Sequence, residues 1–203
     1  MSKAMIPVLL AVFLDLLGFG IVIPLLTFYA ENYGATALQV TLLMACYSAA
    51  QFLFAPLWGS LSDRYGRRPI MLISIGATAV CLAGFAAAET LALLFVFRTL
   101  HGSATANIST AQACVADLTT PENRAKGMGM IGAAFGVGFT LGPWMGGELA
   151  AFGYATPIWV AAGLSAVNFL LALKLLPETR KPGNKARPRS ISTMAFVRVL
   201  KHP

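Results

Sequence analysis

Six stretches of this 203-residue chain, at 4–29, 37–61, 70–88, 91–116, 127–152 and 157–176, each contain at most one Asp, Glu, Lys or Arg. At about 1.5 Å of rise per helical residue, a run of roughly twenty such residues crosses the roughly 30 Å of hydrocarbon in a bilayer. Charged residues make up only 11% of the chain, against about 25% in an ordinary soluble domain. The expected fold is therefore all-α and integral to the membrane. Residues 1–176 form six transmembrane helices, which divide into two groups of three, as in bundles built from three-helix repeats.

The positions of the basic residues orient the bundle, because short cytoplasmic loops retain Lys and Arg. Lys3, the group Arg64, Arg67 and Arg68, the pair Arg124 and Lys126, and everything from Lys174 onward fall on one side. The opposite loops, 31–36, 89–90 and 153–156, have none. Both termini are thus expected in the cytoplasm of a multi-pass cell-membrane protein, with a bacterial inner membrane as the expected location. The net charge of +7 lies between and after apolar spans rather than on a solvated basic face with aromatic platforms, so nucleic acid is not an expected partner. Cys46, Cys81 and Cys114 each sit within a span without C-x-x-C spacing, which supports neither disulfide nor metal. The first span is too long for a signal-peptide core and reads as a retained helix. Composition changes at Pro177, and 177–203 reads as a basic cytoplasmic linker. Within it Ile191, Met194, Ala195, Val199 and Leu200 can share the apolar flank of a short interfacial helix.

Between the second and third spans lies G-S-L-S-D-R-Y-G-R-R-P, Gly59 to Pro69. Gly59 permits close helix approach, Gly66 permits a tight turn, Asp63 can accept from an arginine or a helix N-terminus, and Arg67 and Arg68 can pair with carboxylates. A topogenic loop would account for the arginines but not for Asp63 at this spacing. The segment resembles the signature cytoplasmic loop of the major facilitator superfamily. R-T-L-H-G-S-A-T-A, Arg98 to Ala106, and the following A-D-L-T-T-P-E-N-R-A, Ala116 to Ala125, extend the resemblance. It implies that Arg98 takes part in proton coupling and that Asp117 pairs with Arg67 or Arg68 in a conformational gate.

Spacing carries its own argument. If the fourth span is one continuous helix, Arg98, Thr105 and Gln112, seven apart, share a face with His101 and Ser109 beside them, while Asn107 falls out of phase and packs between helices. An arginine deep in a span needs a partner or water. Asp15 lies about 15 Å from the inner face and Arg98 about 12 Å from the outer one, so the two meet near the midplane if their helices adjoin. A structural ion pair is the alternative to a coupling pair. L-D-L-L-G-F-G-I-V-I-P, Leu14 to Pro24, is similar to the first helix of drug:proton antiporters.

In the fifth span G-V-G-F-T-L-G-P-W-M-G-G, Gly136 to Gly147, places Gly138, Gly142 and Gly146 four apart as a packing groove, with Pro143 favouring a kink and Gly147 beside it. This glycine and proline combination resembles the antiporter signature of exporting members, and together the motifs resemble the tetracycline-exporter-like branch. Tetracycline carriers have an aspartate midway along the third helix; Gly76 to Cys81 has no acid, which points away from tetracycline itself. Phe19, Phe28, Tyr47 and Gln51, with His101, Thr105, Ser109 and Gln112, are candidates to line a site for a small amphipathic compound, and the first four fit interhelical packing equally well.

The resemblance implies an antiporter driven by a proton gradient with no cofactor, working by alternating access. Such a fold needs a second six-helix half, from the same full-length chain, a separate chain or a homodimer. A membrane scaffold or sensor of the same fold is the alternative. Without a catalytic triad, metal cluster or phosphate loop in the sequence, no enzyme is expected.

Overall fold

Apolar runs bounded by caps and turn residues become helices in the computed structural model, which describes residues 4–179. They are α1 (Met5–Glu31), α2 (Ala37–Tyr65), α3 (Arg67–Ala86), α4 (Leu91–Ala104), α5 (Asn107–Leu118), α6 (Pro121–Ala150) and α7 (Ala155–Leu175), with no strand among the described residues. Thr36 opens α2 as a capping box: its hydroxyl accepts from the Gln39 N–H at 3.3 Å, and Gln39 Oε1 accepts from the Thr36 N–H at 2.8 Å. Thr90 caps α4 in the same sense, and Pro121 begins α6 at a position where the missing N–H has no helical partner anyway. Gly66, at φ +110°, makes the turn that separates α2 from α3. The amphipathic stretch expected at 191–200 lies outside the described residues.

One expectation fails at the fourth span, which is two helices rather than one. The chain leaves the helix at Thr105 (φ −76°, ψ 108°) and re-enters it at Asn107. Gly102, Ser103 and Thr105 are poor helix formers, and neighbouring helices satisfy the backbone groups that the break frees. Ser74 of α3 donates its hydroxyl to Ala104 O at 2.8 Å and accepts the Ala106 N–H at 2.7 Å. Trp58 of α2 donates its indole N–H to Ser103 O at 2.6 Å. Irregular backbone at membrane depth is tolerated where protein buries it. A continuous seven-residue face through Arg98, Thr105 and Gln112 therefore does not exist.

Helix α1 runs through the middle of the bundle, against α6 and α7; α3 packs on α7, and α2 on α4. The buried apolar residues separate into two layers. One contains Ile21, Leu26, Leu43, Phe85, Leu94 and Ile158; the other contains Val8, Val12, Met71, Ile75, Val115 and Ala172. The helices that contribute to both layers, α1, α3 and α7, place polar side chains between them, Asp15 on α1, Thr78 on α3, and Ser165 and Asn168 on α7, and the α4–α5 break adds Arg98, His101 and Asn107. At the Gly34 end, Tyr29 and Tyr33 donate their hydroxyls to Ala86 O at 3.0 Å and Ala88 O at 2.8 Å, tying α1 to α3. At the other end the bundle runs past the expected boundary at 176: Glu178 and Thr179, assigned by composition to the linker, pack onto the helices, and Thr179 is buried.

Candidate functional site

The polar layer contains a cavity of about 220 Å³ lined by residues including Asp15, Phe19, Tyr47, Gln51, His101 and Thr105. Tyr47 is placed there by close helix contact. Gly102 lets α4 approach α2 so nearly that any side chain on it would collide with the Tyr47 backbone. Tyr47 thus reaches across to α4, where its hydroxyl donates to Thr105 Oγ1 at 3.5 Å and its ring meets His101 edge-on at 5.2 Å.

Arg98 is 3% exposed and lies over the Tyr47 ring at 4.4 Å and the Phe19 ring at 5.7 Å. Aromatic faces attract a cation most strongly when water is excluded. The guanidinium Nε has no hydrogen-bond partner among the described residues. Asp15 does not form the ion pair with Arg98 that depth alone allowed. Its Oδ1 accepts instead from Asn107 Nδ2 at 2.7 Å.

The other candidate lining residues lie elsewhere. Phe28 is half-exposed and stacks on Tyr154 at 5.9 Å, near the Gly34 end. Ser109 and Gln112 are exposed, and the Ser109 hydroxyl donates to Ala106 O at 3.1 Å. The break displaces them, since the helical phase that placed them beside Arg98 is reset at Thr105. Asn107, expected to pack between helices, is buried there and also holds Asp15, the only carboxylate lining the cavity among the described residues. Thr78 was also missed; its buried hydroxyl has no partner among the described residues, and it faces the cavity from α3. The Gly-Ser-Ala-Thr-Ala run of 102–106 was the available signal for both the break and Asn107.

The loop around Gly66 forms a second cluster. The Arg67 guanidinium pairs with Asp63, donates to Asp117 Oδ2 at 3.2 Å, and donates to Ser62 Oγ at 2.8 Å. Asp117 thus meets Arg67 and not Arg68, whose guanidinium donates to Leu173 O at 2.7 Å at the end of α7. Glu178 accepts the Arg67 and Arg68 backbone N–H groups at 3.0 and 3.2 Å, a carboxylate at the N-terminus of α3. Gly59 has no atom within 4 Å of the place a Cβ would occupy.

The glycines of α6 form a seam with α1. A Cβ on Gly138 would lie 3.0 Å from Leu16, on Gly142 2.7 Å from the Gly20 backbone, and on Gly146 2.7 Å from Ile21 O. Pro143 lies within the helix beside Gly20, whereas Gly147 faces open space.

The Major Facilitator Superfamily family model matches residues 8–203. The class C tetracycline resistance protein of Escherichia coli is 36% identical over 190 residues, covering 92% of this chain and 48% of that protein. Major facilitator superfamily domain-containing protein 10 of Bos taurus is 35% identical over 228 residues, covering 98% and 49%. Among solved structures, the human organic anion transporter MFSD10 (TETRAN) superposes with a TM-score of 0.79 at 31% identity, over 89% of this chain and 49% of that one. The proton:xylose symporter XylE, at 19% identity and a TM-score of 0.67, shares the fold over 89% of this chain and 41% of that one. The chain spans about half the length of the curated relatives it matches.

Proposed function

The chain belongs to the major facilitator superfamily, and we propose that it is one six-helix half of a proton-coupled antiporter that exports a small amphipathic compound. The observation that carries this reading is the cavity holding Asp15, roofed and floored by apolar layers. A charge near the midplane costs about 2.5–3.5 kcal/mol on insertion scales, and a buried carboxylate there is a group kept for exchange. Asp15 takes up and releases the proton, and Arg98, held over Tyr47 and Phe19, sets the positive potential against which it does so. Compound and proton occupy the site in alternation as the two halves rock about it.

Phe19, Tyr47 and Phe135 offer aromatic faces, and Gln51, His101 and Thr105 offer polar groups, a lining suited to an amphipathic molecule. At about 220 Å³ the cavity falls short of the roughly 300–1,000 Å³ of drug-sized pockets, so a second half supplies the remainder. That half comes from the same full-length chain, from a separate chain or from a second copy of this one. Because α3 presents Thr78 and no carboxylate, tetracycline is not the proposed substrate. The Arg67 cluster lies at the cytoplasmic end and opens and closes with the cycle, the proton gradient supplies the energy without a cofactor, and no catalysis is assigned. A bacterial inner membrane with both termini in the cytoplasm fits the loop charges.

The test is compound-evoked proton movement in proteoliposomes containing the chain assembled with its second half, normalised to folded carrier. Asp15→Asn should still bind compound and move no protons. Proton coupling at the wild-type level in Asp15→Asn would remove Asp15 from the mechanism, and transport by demonstrably monomeric chain would remove the second half.

A further inference from the structure

Asn107 is 1% exposed, and its two amide atoms are unequally served. Nδ2 donates to Asp15 Oδ1 at 2.7 Å. Oδ1 is buried with no hydrogen-bond partner among the described residues, an uncommon condition for an interior acceptor. An ionised carboxylate can only accept, whereas a protonated one carries an O–H donor. The unsatisfied acceptor therefore belongs to the side chain that already holds the carboxyl group whose donor appears with a proton.

We propose that Asn107 is a positioning residue that answers the proton on Asp15, donating through Nδ2 to the carboxylate and accepting through Oδ1 the O–H of the protonated carboxyl. This rests on the reading that Asp15 is the exchanging group. A hydronium ion from the aqueous phase gives its proton to Asp15, forming an O–H bond and leaving water; on release that bond breaks and water takes the proton back as hydronium. The charge of the site rises and falls by one, and no other covalent bond changes. Planar carboxyl and amide groups can pair in both directions at once, so protonation adds a second bond between α1 and α5.

Its place in the fold gives that bond a mechanical consequence. Asn107 is the first residue of α5, directly after the non-helical Thr105 and Ala106. The start of α5 can turn toward α1 without carrying Arg98 on α4 with it. The titratable groups that line the cavity with Asp15 are Tyr47 from α2 and His101 from α4, and the charged Arg98 of α4 lies over the Tyr47 ring. Among the described residues, α3, α5 and α6 present Thr78, Ile108 and Phe135 to the cavity, Asn107 of α5 bonds Asp15, and α7 lines no part of it. Asn107 is the neutral side chain already bonded to Asp15, and its amide has a donor for the carboxylate and an acceptor for the protonated carboxyl.

The experiment is pH-difference infrared spectroscopy on the chain in lipid bilayers, with asparagine isotope-labelled at the side-chain carbonyl. Acidification should produce a carboxyl C=O band that is lost in Asp15→Leu, together with a downshift of one asparagine C=O band that is lost in Asn107→Leu. In Asn107→Leu the carboxyl band should move to higher frequency, as for a carboxyl with fewer hydrogen bonds. The wild-type spectrum carries the principal readout, so the test survives if Asn107→Leu folds poorly. An Asp15-dependent carboxyl band with no change in any asparagine band overturns the role of Asn107 and leaves Asp15 as the proton site. No Asp15-dependent band at any pH where the chain stays folded overturns both.

Discussion

Replacing Gly142 by alanine tests whether the α1–α6 seam holds the site together. The added Cβ would lie 2.7 Å from Gly20 Cα and carbonyl carbon and 2.9 Å from the Ile21 nitrogen, all of them backbone atoms. Carbon atoms in good contact lie about 3.5–4.0 Å apart, so the helices must separate by about 1 Å. No rotamer change can relieve the clash. Overpacking of this kind costs about 1–3 kcal/mol, and contact with backbone on both sides places Gly142→Ala in the upper half of that range. A loss of about 2–3 kcal/mol lowers the folded-to-unfolded ratio by roughly 30- to 150-fold, using about 1.4 kcal/mol per tenfold. Because α1 also carries Asp15, the shift should loosen the 2.7 Å bond to Asn107. Gly147→Ala is the internal control: its Cβ would meet nothing within 4 Å, and alanine is about 0.8–1.0 kcal/mol the better helix former. The assay is denaturant unfolding of the purified chain in mixed micelles. Gly142→Ala as stable as wild type, or Gly147→Ala destabilised as much as Gly142→Ala, would refute the seam.

Ser74→Ala removes two of the three bonds that stitch the α4–α5 break and leaves Ala104 O and the Ala106 N–H unsatisfied, at about 1–3 kcal/mol for each buried group; faster amide hydrogen exchange confined to Thr105–Asn107 and a lower melting temperature should report it. Arg98→Lys keeps the charge but loses the flat guanidinium over Tyr47 and Phe19, so proton coupling in the assembled carrier should fall at least tenfold (~1.4 kcal/mol) with folded yield preserved; unchanged coupling would show that charge alone suffices. In a chain stripped of its three cysteines, Cys introduced at Thr36 or Ala155 should react with impermeant thiol reagents from outside and Cys at Ser60 only from inside, and outside labelling at Ser60 would invert the orientation.

The six crossings, the charged loop at Gly59–Pro69 and the glycine repeat of α6 were legible in the amino-acid order, because hydrophobic length, loop charge and four-residue spacing are local properties that the bilayer imposes on any fold. The partners in the polar layer were not. Depth placed Asp15 and Arg98 at one level, but which side chain reaches which depends on the break at Thr105. That break exists because Ser74 and Trp58, about 30 and 45 positions away in the chain, satisfy the backbone groups it frees. Periodicity assumes an unbroken helix, so it put Ser109 and Gln112 beside Arg98 and gave Asn107 a packing role alone; the break leaves Ser109 and Gln112 exposed and gives the buried Asn107 a bond to Asp15. Glu178 shows the same division at the bundle's end. Composition after Pro177 reads as solvated linker, yet the free N–H groups of α3 provide a site for its carboxylate that only the packing of α7 beside α3 brings within 3.0 Å.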